Sequence, residues 1–205
     1  MGEKTMFATP RQEEILDRAM DLVRESGLGA LTTRKIAEKM GFSEAALYRH
    51  FPTKKALVNG LMERLDQMLL GPVQEIAADD SLSHLERLKR ILLHHVHLVR
   101  EQNSLPILLL AEASATDDPT LLGRMRSILH TYLSVLEGLV REAQAKGLVP
   151  GELQNDCIAL LLLGAPAALA IRHRLLPDGR LEDRFENTLI PFLTEHLLPA
   201  QGGEL

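Results

Sequence analysis

The chain has 205 residues, 45% hydrophobic and 25% charged, enough to bury a sizeable core as one large domain or two small ones. Tryptophan is absent and aromatics are 3%, so Leu, Ile, Val, Ala and Met must build that core, a composition that favours helices over strands. A lone cysteine, Cys157, excludes an intrachain disulfide and a cysteine-based zinc site and fits a reducing, cytoplasmic setting. The net charge of -5 is uneven: residues 1–55 carry 10 Lys/Arg against 8 Asp/Glu, whereas residues 56–205 carry 13 against 20.

Taken in chain order, the sequence predicts helices throughout. Met1 to Arg11 shows no apolar targeting run. Thr9-Pro10-Arg11-Gln12 reads as a capping box with proline at the first helical position, and Ile15, Ala19, Leu22 and Val23 follow at helical spacing until Gly27. Thr32 or Thr33 caps a second helix, with Ile36, Ala37 and Met40 inward, that ends at Gly41. Ser43 caps a third, very short helix that cannot pass Phe51-Pro52. Thr53 caps a fourth, expected to run to about Leu70, where Gly71-Pro72 breaks or kinks it. Five more follow: Ser83 to about Arg100, Leu105 to Ala115, Asp118 to Lys146 with Gly147 behind it, Gln154 to Leu175, and Leu181 to about Leu198. Gly202 to Leu205 is expected to fray. No segment alternates with period two, so the expected fold class is all-α.

The second and third helices, joined by a turn through Gly41, form a helix-turn-helix. Ala46 and Leu47 are its inward candidates; Tyr48, Arg49 and His50 are too polar for a buried face. Such a motif sends its second helix into the DNA major groove. Thr33, Ser43 and Thr53 place hydroxyls at helix N-termini, where phosphate oxygens bind well, and Lys54 adds a positive charge. Lys55 reads as a solvated charge, and Phe51 and Leu57 as core.

The stretch LTTRKIAEKMGFSEAALYRHFPTKKAL, Leu31 to Leu57, resembles the DNA-binding segment of the TetR family of transcriptional regulators, and the similarity extends back through the first helix. That resemblance implies a three-helix DNA-binding domain over residues 1–55 and an effector-binding and dimerisation domain over 56–205. It implies a homodimeric repressor that holds a palindromic double-stranded operator and lets go when a small molecule binds. Positions matching Thr33, Ser43, Tyr48, His50 and Lys54 are those that touch phosphates in the family. Those matching Arg34, Glu44, Ala45 and Arg49 can reach bases. Glu44-Ala45 departs from the family pattern, where a basic or small residue followed by glycine is frequent. Glu44 either accepts from a cytosine amine or serves as a carboxylate at the helix start, which favours the helix and repels phosphate; the structural role is preferred. SEAALYRHFP is also similar to the matching segment of the nucleoid occlusion factors, so a structural DNA-binding protein acting on cell division is the alternative.

The C-terminal part holds two features of chemical interest. Around the wheel of the fifth helix, Leu85, Leu88, Ile91, Leu92, Val96 and Val99 define an apolar face. His95, and marginally His84, fall on it, while His94 and His97 point away towards solvent. His95 is either a satisfied core residue or the polar anchor of an apolar ligand pocket. His94 and His97 lack a carboxylate one turn away, so no metal is expected. The second feature, Asp156 to Leu176, is apolar around its whole circumference. Its run Cys157 to Ile171 is short for a membrane span, so no membrane is expected. Only one face can meet its own core, which points to a second copy of the chain as the partner of the other, through the last two helices. Leu181, Phe185, Leu189 and Phe192 supply a further surface. No nucleophile elbow, phosphate loop or metal-protease motif is present, so neither an enzyme nor a cofactor is expected.

Overall fold

The Thr9 capping box forms as the sequence predicts: the Thr9 side chain accepts from the Gln12 N–H, and the Thr9 N–H donates to Gln12 Oε1 at 2.9 Å. It opens α1 (Pro10–Ser26), which ends at Gly27 with φ 76°. The computed structural model describes residues 9–176 and 180–192, and every regular element among them is helical. After a 3₁₀ turn at Leu28–Ala30 that the sequence did not signal come α2 (Thr33–Met40), α3 (Glu44–Tyr48) and α4 (Lys54–Ala78). Then follow α5 (His84–Glu101), α6 (Leu105–Thr116), α7 (Pro119–Ala145), α8 (Asn155–Leu175) and α9 (Arg180–Phe192). The expected continuation of the last helix to Leu198 and the frayed tail lie outside the described residues.

Thr32, Ser43, Thr53, Ser83 and Asp118 each cap the helix that follows, accepting a backbone N–H two or three residues on. Gly147, at φ 71°, closes α7 with the Leu148 N–H on the Ala143 carbonyl. These local devices fix where the helices begin and end. Packing then follows from α4, which buries Leu57, Val58, Leu61, Met62, Leu65, Leu69 and Val73. It packs on α1 in the N-terminal bundle and on α5 and α7 in the C-terminal one, so one core runs from Ile15 to Leu162. Gly60 lets α1 and Phe51 approach it; a Cβ there would lie 2.8 Å from Leu16 Cδ2. Asn103, at the α5–α6 junction, donates to the Arg24 carbonyl at 2.6 Å and so caps the end of α1. Arg64 of α4 pairs with Glu13 and Asp17 of α1.

Of the two outcomes the sequence left open at Gly71-Pro72, the break does not occur: the fourth helix runs past Leu70 to Ala78 with Pro72 inside it. Proline has no N–H, so the Met68 carbonyl four residues earlier loses its helical partner. His94 of α5 replaces it, with Nε2 2.9 Å from the Met68 oxygen. A carbonyl only accepts, so Nε2 carries the proton. His94 is therefore half-buried at the α4–α5 contact, not pointing to solvent as its wheel position implied.

This arrangement yields a double-mutant prediction. His94→Ala should destabilise the protein by about 1–3 kcal/mol in urea, because it leaves the Met68 carbonyl unpaired. In a Pro72→Ala background, where the substituted residue supplies its own N–H, the same His94 substitution should cost clearly less. Equal costs in the two backgrounds would show that the His94 bond does not substitute for the missing amide.

Candidate nucleic-acid interface

The turn between α2 and α3 is built by backbone geometry. Gly41 takes the left-handed conformation, φ 71° and ψ 27°. Its N–H bonds the Glu38 carbonyl, and the Phe42 N–H bonds that of Ala37, so two of the four orphan carbonyls at the end of α2 are satisfied. Any other residue at Gly41 meets the steric cost of positive φ. Ser43 Oγ accepts from the Ala46 N–H at 3.3 Å and starts α3. Leu47 is fully buried and Ala46 half-buried, which orients the short helix. Glu44, Ala45, Tyr48 and Arg49 consequently stay exposed on the opposite side.

Three of the expected contact residues meet. The Thr33 hydroxyl donates to Glu44 Oε2 at 3.2 Å and lies 3.3 Å from the Tyr48 hydroxyl. Thr33 has one hydroxyl hydrogen, so with that hydrogen on Glu44 it is Tyr48 that donates to Thr33. The chain of donors thus ends on the Glu44 carboxylate, which ties the start of α3 to the start of α2. Arg34 is exposed and bound along its own helix to Glu38 at 2.8 Å. The Glu38 hydrogen bond and charge, with Glu44 nearby, hold its guanidinium above the ordinary value. His50 is half-buried, and its carbonyl accepts from Gln12 of α1 at 3.4 Å. Ser43 and Arg49 lie at the two ends of α3, Arg49 exposed and Ser43 with its hydroxyl turned into the cap.

Lys54 lies apart from that cluster in its bonding. Its ammonium pairs with Glu112 Oε1 of α6 at 2.7 Å, and Lys55 pairs with Asp118 Oδ2, the cap of α7, at 2.7 Å. Lys55 is exposed, as its sequence position suggested, and is in addition an ion-pair partner. Its hydrogen bond is the main cause that holds the Asp118 carboxyl below the usual range. Neither acid was singled out from the sequence. One signal was there: Glu112 is the single charged residue of α6.

A second polar group sits deep in the C-terminal bundle. His95 is buried on α5, and its Nδ1 is 3.1 Å from the Tyr132 hydroxyl of α7. The rings meet edge to face, 5.1 Å apart between centroids. Burial, aided by the charge of His94, pushes the His95 imidazole down to about 4, so it is neutral at physiological pH. Burial also raises the Tyr132 phenol. His84 is buried as well, with Nε2 2.9 Å from Glu142 Oε2. Among the described residues no group of three or more His, Cys, Asp or Glu side chains is placed to hold a metal.

On the outer side of α8, Cys157, Leu160, Leu161, Gly164, Ala168, Ile171 and Leu175 form an exposed stripe. Leu161 and Leu175 are 66% and 71% exposed and belong to this run along one helix, rather than being leucines scattered singly over the surface. α8 is long and apolar enough to cross a membrane, as a core helix can also be, and here it packs on α5, α6 and α7.

Comparison with known proteins places this geometry. The family model for bacterial regulatory proteins, tetR family, matches residues 15–61. The nucleoid occlusion factor SlmA of Vibrio campbellii is 30% identical over 158 residues, 76% of this chain and 80% of that protein. The MbdR regulator of Azoarcus sp. CIB shares the fold with a TM-score of 0.76 at 23% identity, over 93% of this chain and 98% of that one. The transcriptional regulator FadR of Bacillus subtilis, solved in complex with stearoyl-CoA, does so with a TM-score of 0.73 at 17% identity, over 89% and 97%.

His95 makes a pH prediction. In the folded chain it stays neutral down to about pH 4, while the unfolded chain takes a proton near the ordinary value of 6.5. The stability it confers is thus fully present above pH 6.5 and is lost as pH falls towards 4. The advantage of the wild type over His95→Gln in urea unfolding should shrink by up to about 3 kcal/mol across that window. A difference that does not change with pH would mean that His95 titrates alike in both states.

Proposed function

The chain belongs to the TetR family of DNA-binding regulators, and from that premise we propose that it is a homodimeric repressor released from a palindromic operator by a small lipophilic effector. Residues 1–55 form the DNA-binding head and residues 56–205 the effector and dimerisation body, with α4 shared by both. We assign it no catalytic activity and a cytoplasmic location. The observation that carries the reading is the exposed face of α3, where Glu44, Ala45, Tyr48 and Arg49 stand opposite the buried Leu47. A helix so mounted can enter a major groove, with Arg34, Ala45 and Arg49 towards base edges. Thr33, Ser43, Tyr48, His50 and Lys54 take the phosphates. Glu44 serves as the positioning carboxylate to which Thr33 donates.

One head reads half a palindrome, so a two-fold partner is required. The exposed apolar stripe of α8 supports a dimer through α8 and α9, two helices from each chain around the axis. For the effector we single out His95 and Tyr132, a neutral polar pair bonded to each other within apolar packing, which a ligand would have to open. Such a pair suits a ligand with a long apolar portion and one polar group. Stearoyl-CoA, bound by the Bacillus subtilis protein, meets that description in its acyl chain and thioester while its CoA portion is large and charged, and acyl thioesters are the class to try first.

A second reading comes from the identity to the nucleoid occlusion factor, which favours a role in cell division. Mapping bound sites genome-wide separates the two. A regulator's sites cluster at a few promoters, including its own gene's, whereas an occlusion factor's sites are scattered around the chromosome.

Duplex selection from a random pool should return a palindrome, bound with steep salt dependence as counterions are released. Arg49→Ala should cost about 1–3 kcal/mol and relax preference at one position of each half-site. Lys54→Ala should weaken all duplexes alike. His95→Leu should blunt release by an acyl-CoA and leave DNA affinity unchanged; an unaltered release profile would make His95 a core residue only. A pool that yields no preferred sequence would overturn the regulator reading.

Ala168 is exposed on the α8 stripe. Ala168→Glu should bury an unpaired carboxylate at the dimer contact, at a cost of several kcal/mol. The variant should sediment as a monomer and lose operator binding with every DNA-facing residue intact. A wild type that is monomeric at micromolar concentration would defeat the dimer.

A further inference from the structure

Lys54 and Lys55 open α4 at the positive end of its dipole, where cations are disfavoured. The helix offers no acidic residue in its own first turn to offset them. The offset comes from the body. Glu112 reaches Lys54 from the last turns of α6, and Asp118 reaches Lys55 from the cap of α7. The link between those helices is short, and Asp117 within it is held at φ 45°. The start of α4, the end of α6 and the start of α7 therefore converge on two ion pairs.

Lys54 is the residue assigned above to a DNA phosphate. A phosphate arriving there meets an ammonium already neutralised, with a carboxylate 2.7 Å behind it. It must displace Glu112 or bear its repulsion. Glu112 is only 20% exposed and lies in an apolar helix, so α6 fixes its position more firmly than that of a surface acid.

We propose that Glu112 is an intramolecular competitor of the DNA phosphate for Lys54, so that the position of α6 sets how much positive charge the head offers to DNA. With α6 against α4 the lysine is held by Glu112, and DNA affinity is low. With α6 withdrawn it is free for phosphate, and affinity is high. Asp118 acts on Lys55 in the same sense. This inference rests on the reading that Lys54 contacts DNA.

The test is a double-mutant cycle in the full-length protein, read on a duplex selected from a random pool and on an unrelated duplex of the same length. Glu112→Gln should tighten both at low salt by about threefold per head, hence about tenfold for two heads. The gain should shrink as salt rises, because screening weakens the pair it removes. It should be absent in a Lys54→Ala background. Glu112→Asp keeps the charge and falls short of the lysine, so it should shift affinity in the same direction. Equal gains with and without Lys54 would reduce the effect to net charge and overturn the proposal. So would a Glu112→Gln protein that binds like the wild type while Lys54→Ala binds more weakly. A Lys54→Ala protein that binds both duplexes like the wild type would instead remove the phosphate contact itself, and the competition with it.

Discussion

The structure depends on α4 being one continuous helix. Its apolar stripe packs on α1 at one end and on α5 and α7 at the other, so the bundle that carries α3 and the bundle that carries His95 share a single core. A break at Gly71-Pro72 would have taken the last turns of α4, with the buried Val73, out of that core. The break does not occur because the lost helical bond is made good from outside, by His94 on the Met68 carbonyl. An interior proline costs several kcal/mol when its neighbours cannot adapt. Here α5 is close enough to supply a donor, and the helix passes through.

Because α4 is continuous, its first turn is mechanically part of the C-terminal bundle while sitting beside the helix-turn-helix. Its two lysines break a local rule by placing cations at a helix N-terminus. Such violations mark places where the surroundings, rather than the helix, decide the residue type. The surroundings here are carboxylates of α6 and α7. A similar arrangement recurs at α3, where the hydroxyls of Thr33 and Tyr48 lead to the Glu44 carboxylate. In both places donors suited to phosphate are occupied by acids of the chain itself.

The C-terminal bundle divides its polar and apolar groups unusually. Its interior keeps two buried histidines, His84 and His95, each with a hydrogen-bond partner on α7. Its exterior shows leucines along α8. An isolated chain gains nothing from exposed Leu160, Leu161 and Leu175, since each leaves apolar area in water. The stripe has the helical spacing of an interface, and a second copy is the occupant proposed for it.

Much of this was legible in the residues, and the reason is locality. The Thr9-to-Gln12 capping box, the glycine turn at Gly41, the caps at Ser43 and Thr53 and the closure at Gly147 all act within a few residues of chain, so composition and spacing determine them. The side on which Leu47 lies, and hence the exposed face of α3, follows from the same helical period. The family resemblance added the motif's purpose. What the sequence could not decide are the pairings across space. The sequence shows a proline in α4 and a histidine in α5, but not that the second repairs the first, because that bond spans 26 residues. Nor does it show that Lys54 and Lys55 face Glu112 and Asp118, or that His95 meets Tyr132. Those partners are set by the register in which α4, α5, α6 and α7 pack, and packing register belongs to the tertiary structure alone.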